Sequence, residues 1–204
     1  AITNLRRVES GTIKIHGKEI QNTTTRNTME SGIATIHEDR QKRGIIPDFT
    51  VADNVVLDHF KSSRFSKKGI LKRAEIRSAA SELLKEYDVR PENCEDLLIR
   101  GLSGGNQQKV IIGREIANNP DLLIAVQPTR GLDVGAIEYV HKMLIRERDK
   151  GKAILLISLE LDEILNVADT IGVIYDGSIN AILSRDEADE NSIGLLMAGG
   201  TLHE

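Results

Sequence analysis

Leu102-Ser103-Gly104-Gly105-Asn106-Gln107-Gln108 is followed, one helix length later, by Leu122-Leu123-Ile124-Ala125-Val126-Gln127-Pro128-Thr129-Arg130-Gly131-Leu132-Asp133. Ser103 stands where a helix N-cap belongs. The two glycines after it leave backbone N–H groups bare, with no Cβ to hold an anion away. That is a cradle for phosphate, although Ser-Gly-Gly alone also reads as an ordinary helix start. Leu122 to Val126 is an unbroken apolar run of strand length, and Gln127 to Asp133 reads as a loop feeding the next helix.

Outward from this pair the periodicities sort the rest of the chain. Thr12 to His16 alternates between Gly11 and Gly17 as a half-buried strand. Ile33 to Ile36 is a short buried strand after a helix ending Met29-Glu30-Ser31-Gly32, and together the two strands are expected to open one sheet. Residues 37 to 50 are polar and contain Gly44 and Pro47, so they form a loop before a helical pattern from Val51 to Leu57. Ile76, Ala79, Ala80, Leu83, Leu84 and Tyr87 make an apolar stripe at helical spacing. The segment from about 51 to 100 therefore reads as a helical insert.

After Gln108 the pattern gives a helix through Ala117, the strand Leu122 to Val126, a helix from about Val134 to Lys150 and a strand from Ala153 to Ser158. A short helix Leu161 to Val167, a strand Thr170 to Tyr175, an Asp176-Gly177 turn and a final strand follow. Strands alternating with helices imply an α/β fold on a mostly parallel sheet. Residues 186 to 204 are expected to be a terminal helix or tail on the surface. Lys61, Arg64, Lys67, Lys68, Lys72 and Arg73 read as a solvated, basic helix face.

Composition narrows the classes of function. The 204 residues suffice for one large domain or two small ones with a substantial core, and the single Cys94 has no internal disulfide partner. With 31 acidic against 27 basic side chains and a net charge of −4, the chain lacks the basic face of a nucleic-acid binder. No apolar run reaches the ~20 residues of a membrane span, and Ala1 to Arg7 has no signal-peptide core. A cytosolic setting is expected, with any membrane served from its side.

A cradle, a helix, a hydrophobic strand, Pro128-Thr129 and Gly131-Leu132-Asp133 in that order resemble the signature loop, Walker B strand and D-loop of the ATP-binding cassette (ABC) family. The resemblance covers nearly the whole chain. It implies a P-loop NTPase-like ABC ATPase core: a mostly parallel sheet, antiparallel strands at the edge and a small helical subdomain at about 51 to 100. Glu38-Asp39-Arg40 and Pro128 to Ala136 look like the second nucleotide-binding domain of importers for simple sugars and nucleosides. The Ala125-Val126-Gln127-Pro128 form leans to the nucleoside branch.

Hydrolysis in this family needs a P-loop, an Asp reaching magnesium, a Glu at the attacking water and a His at the γ-phosphate. No Gly-x-x-x-x-Gly-Lys-Ser/Thr occurs, and the chain is expected to be a fragment beginning within or just after the P-loop helix. Aligned on Pro128, the Walker B Asp position is Val126, which has no oxygen for magnesium. The catalytic Glu position is Gln127, an amide that cannot take a proton at neutral pH. The switch His position is Leu159. The loop Gln position is Glu38 or displaced by one, and a carboxylate there repels phosphate unless a metal lies between. His37 and His141 are the remaining candidates for stand-in catalytic residues, more simply read as structural or solvated. No intact catalytic residue and no metal ligand is therefore expected.

Family members dimerise head to tail, each ATP lying between one P-loop and the partner's signature. The resemblance thus implies that Ser103, Gly104, Gly105 and Gln107 close on ATP and Mg2+ held by an N-terminal cassette or dimer mate. Glu38 and Asp133 would border the nucleotide, Asp133 either coupling the two sites, capping its helix, or both. The loop from Glu38 to Thr50 would touch transmembrane permease subunits at the cytoplasmic face of the membrane, with a substrate-binding protein engaged indirectly. The rivals are a scaffolding domain without ATPase activity and a chromosome or translation ATPase. The latter is disfavoured by the absence of sustained heptads between 39 and 101 and by the charge balance.

Overall fold

The computed structural model describes residues 1–201. A hairpin of β1 (Lys14–Ile15) and β2 (Lys18–Glu19) leads to α1 (Thr25–Glu30) and β3 (Ile33–Ile36). A π turn over Arg40–Gly44 and α2 (Val51–Val55) follow, then the hairpin β4 (Ser66–Lys67) and β5 (Ile70–Leu71) and the long α3 (Arg73–Glu86). Next come α4 (Gly104–Ala117), β6 (Leu122–Val126), α5 (Val134–Asp149), β7 (Ala153–Ile157) and α6 (Leu161–Val167). The described chain closes with β8 (Thr170–Tyr175), β9 (Ser178–Ser184) and α7 (Glu190–Met197).

The central sheet is parallel, in the order β3-β6-β7, with Ile33 opposite Leu122 and Val126 opposite Ile157. Strand alternation divides its side chains between two cores. Ala34, Ile36, Leu123, Ala125, Ile154 and Leu156 face the main core, shared with α2, α3, α4 and α5. Ile33, Leu122, Ile124, Val126 and Leu155 face the other side, where Ile13, Ile15 and Ile20 pack on them. Burying one such isoleucine or leucine contributes about 1.5–3 kcal/mol, so both faces of the sheet are anchored.

One expectation about sheets is corrected. The strand around Gly11 to Gly17 does not join Ile33 to Ile36; it is a separate two-stranded hairpin laid against the sheet face. Its alternation is real, with Ile13 and Ile15 turned inward, but alternation alone names a face and not a hydrogen-bonded neighbour. As expected, β8 and β9 pair antiparallel across the Asp176-Gly177 turn, and they form a two-stranded sheet. That hairpin, α6 and α7 enclose a second core of Ile171, Val173, Leu183, Ile193 and Leu196. The terminal segment is the helical alternative of the two expected, over 190 to 197, with Ile193 and Leu196 packed inward rather than on the surface; Leu202 to Glu204 lie outside the described residues.

The insert at 51 to 100 is helical at α2 and α3 but also contains the β4–β5 hairpin. The basic residues from Lys61 to Arg73 lie chiefly on that hairpin and its approach, not on a helix face. Arg64 pairs with Glu82 and Arg73 with Asp53. A buried ionic group ties the insert to the sheet: Arg114 on α4 is 2.9 Å from both Asp58 and Glu115 and donates to the Asn54 carbonyl at 3.3 Å. Glu115 in turn accepts the Thr35 N–H of β3 at 3.3 Å. Burial pushes the Glu115 carboxyl up to about 7, with Arg114 opposing and Asp58 adding to the shift.

Candidate phosphate cradle and degenerate catalytic face

Ser103 caps α4 with extended backbone. Its Oγ accepts from the Asn106 backbone N–H at 3.4 Å and from Asn106 Nδ2 at 3.0 Å. Both are acceptor bonds, so the hydroxyl hydrogen stays available to an outside anion. The first helical bond is donated by Gln107 N to the Ser103 carbonyl at 2.9 Å. The Gly104 and Gly105 N–H groups precede it and have no intrahelical acceptor.

Neighbouring chain closes tightly on these glycines. A Cβ on Gly104 would lie 2.7 Å from Arg40 Nη2, and one on Gly105 would lie 3.1 Å from the Ala136 Cβ. The N-terminus of α4 therefore abuts the N-terminus of α5, which Asp133 caps by accepting from Ala136 N at 2.9 Å. Asp133 is a helix cap placed beside the cradle. Gln107 is buried: its Nε2 donates to the carbonyls of Ile99 at 3.1 Å and Leu102 at 3.0 Å, and its Oε1 accepts from Gln41 at 2.6 Å. Its amide shapes the loop from within, while Ser103 is exposed.

The loop after β6 is held as firmly. Gln127 takes a left-handed φ of 48°, donates its N–H to the Ile157 carbonyl at 2.8 Å and accepts from Arg130 N at 3.1 Å. A residue with a Cβ is uncommon there and costs roughly 1–2 kcal/mol, a strain of the kind that collects at functional turns. Arg130 pairs with Glu38, and Arg40 Nη1 donates to the Arg130 carbonyl at 2.8 Å. Arg40, Arg130 and Gln108 lie inside motifs legible in the sequence, but a lone arginine or glutamine carries no spacing signal for the partner it meets.

A cavity of about 480 Å³ opens at the C-terminal ends of β3, β6 and β7, lined by Ile124, Val126, Leu155, Ile157, His37, Glu38 and Arg43 among others. This is where parallel sheets place ligands. Its floor is apolar, and Val126 offers no oxygen. Glu38 is engaged by Arg130, and no group of three His, Cys, Asp or Glu suited to a metal occurs among the described residues. These residues do not fit a magnesium ion. Leu159 is 79% exposed and has no polar group to present. Burial, then Arg43 and Arg114, hold the His37 imidazole below its usual range and so neutral at pH 7. His141 bonds the buried Glu163 at 3.1 Å, tying α5 to α6.

The ABC transporter family model matches residues 1–130. Guanosine import ATP-binding protein NupO of Bacillus subtilis is 53% identical over 204 residues, covering 100% of this chain and 40% of the relative. Nucleoside import ATP-binding protein NupA of Lactococcus lactis subsp. cremoris is 52% identical with the same coverage. Glucose import ATP-binding protein TsgD13 of Haloferax volcanii is 38% identical over 98% of this chain and 36% of its own length. The chain thus spans about 40% of the length of the curated relatives with which it aligns end to end. An ATP-binding cassette solved as a dimer in a post-hydrolysis state with ADP and Pi superposes with a TM-score of 0.71 at 24% identity, over 90% of this chain and 77% of that one. The fold is the ABC ATPase P-loop fold, and the chain belongs to the ABC transporter family.

Proposed function

We propose that this chain is the C-terminal cassette of an ABC importer's ATP-binding subunit, coupling ATP binding and hydrolysis to uptake of nucleosides. The observation that carries the reading is the contrast between an exposed Ser103 hydroxyl with the two glycine N–H groups beside it and an apolar floor at Val126. The cradle supplies a hydroxyl donor, two backbone donors and a helix dipole to a phosphate held by a partner cassette. The face at Val126, Gln127 and Leu159 supplies neither a metal ligand nor a general base, so it serves as a degenerate half-site. The isolated chain is accordingly inactive as an ATPase.

Nucleosides are preferred to sugars because identities of 53% and 52% go with relatives named for guanosine and nucleoside import, against 38% for the one named for glucose. The partners are an N-terminal cassette or dimer mate, permease subunits reached through residues 38 to 50, and a substrate-binding protein behind them. No helix among the described residues is long and apolar enough to cross a membrane, which suits a peripheral position at the cytoplasmic face. Labelled-solute uptake through the assembled importer tests the assignment. Guanosine or adenosine is expected to accumulate in an ATP-dependent way, and ribose uptake without nucleoside uptake would overturn it.

A further inference from the structure

Arg40 occupies an electrostatically adverse position for a cation. Its guanidinium lies against Gly104, so close that a Cβ there would be 2.7 Å from Nη2 and 3.3 Å from Cζ. Gly104 is the first residue of α4, where the helix carries its partial positive charge, about half an elementary charge. The N-terminus of α5 adjoins the same spot through Gly105 and Ala136. Cations are ordinarily favoured at the opposite end of a helix.

No carboxylate among the described residues neutralises this guanidinium. Of its five N–H donors, one is committed, from Nη1 to the Arg130 carbonyl at 2.8 Å. Nε is buried and has no partner. No carboxylate pairs with Arg40 among the described residues: Glu38 is taken by Arg130 and Asp39 by Lys42. The one acid at the junction, Asp133, spends Oδ1 on capping α5. A buried donor left unmade costs about 1–3 kcal/mol and more when charged. The remaining donors, Nη2 nearest Gly104 among them, thus have no acceptor among the described residues.

We propose that Arg40 is part of the phosphate cradle, its guanidinium joining Ser103 Oγ and the Gly104 and Gly105 N–H groups to take the terminal phosphate of a nucleotide. This rests on the reading of Ser103 to Gly105 as that cradle and adds to it a charged residue from a different segment of the chain. A planar fork suits phosphate oxygens, and charge-assisted bonds are about twice as strong as neutral ones. The bond to the Arg130 carbonyl fixes the fork beside Gly104 before the anion arrives. Gly104 is then required twice, for its bare N–H and for the room its missing Cβ gives the guanidinium.

The test is amide NMR of the 204-residue chain titrated separately with inorganic phosphate and with ATP. Both ligands are expected to bind the chain alone only weakly, since tight binding of ATP needs the partner cassette, yet to shift the Gly104 and Gly105 amides saturably, and Arg40→Gln to weaken both about tenfold, the worth of one charged hydrogen bond. Arg40→Lys, which keeps the charge but loses the fork, should fall between, and it carries the same test if Arg40→Gln fails to fold. Equal affinity in wild type and both variants would overturn the role of Arg40 and leave the cradle standing. No response at Gly104 and Gly105 in the wild type would overturn the cradle as well. A response to phosphate with none to ATP would assign the site to free phosphate and overturn the nucleotide contact.

Discussion

Gln108 and Pro128 join the two segments that define the site: Gln108 Nε2 on α4 donates to the Pro128 carbonyl in the loop after β6 at 2.7 Å, with both residues buried. This bond holds the cradle helix and the loop from Gln127 to Asp133 as one unit. Gln108→Ala leaves the carbonyl buried without a donor, which costs about 1–3 kcal/mol. The denaturant midpoint is expected to fall accordingly at unchanged slope. An unchanged midpoint would show that the carbonyl finds another donor and that the tie is dispensable.

Gly113 lies where α4 crosses α3. A Cβ at this position would meet Leu83 Cδ2 at 2.8 Å and Tyr87 Cδ2 at 3.0 Å. Gly113→Ala is favourable for helix propensity by about 1 kcal/mol, but overpacking a filled core costs typically 1–3 kcal/mol. Crowding should win and stability should drop. A rise in stability on thermal or chemical unfolding would mean that the Leu83 side chain gives way freely.

Glu115 sets a pH dependence with a definite sign. Its carboxyl stands at about 7 in the folded chain against 4.5 as its ordinary value, burial being the main cause. Between these limits the folded state holds the proton that the unfolded state has released, so this group's contribution to stability falls as pH rises from about 4.5 to about 7. Glu115→Gln, which mimics the protonated form, removes that dependence. Its stability relative to wild type should grow across this window and level off above it. A difference independent of pH between 4 and 8 would contradict the buried, protonated carboxyl.

Local chemistry made the helices legible. Ser103 and Asp133 cap α4 and α5 where expected, α6 runs over Leu161 to Val167 as read, and β6 coincides with the apolar run from Leu122 to Val126. A cap or an apolar run is a property of a few neighbouring residues. Sheet membership is not: the alternation of Ile13 and Ile15 names their inward face, while their hydrogen-bonded neighbour depends on the β1–β2 turn. The apolar run from Ile193 to Met197 signalled the terminal helix but not the surface it packs on, which β8, β9 and α6 supply. At the site, Ser103, Gly104 and Gly105 were legible because the helix cap dictates their chemistry. The pairings of Gln108 with Pro128 and of Arg40 with Arg130 join segments 20 and 90 residues apart, and only the folded chain brings them together.

The central claim is that the cradle at Ser103 serves ATP held by a partner cassette. It is tested most directly by ATP hydrolysis in the assembled importer carrying Ser103→Arg, with assembly checked independently. Replacing the cap hydroxyl by a long side chain at the mouth of the cradle removes a donor and blocks the two glycine N–H groups, so hydrolysis should fall at least about 100-fold, the usual loss for one such donor. Undiminished hydrolysis in that variant would contradict the account.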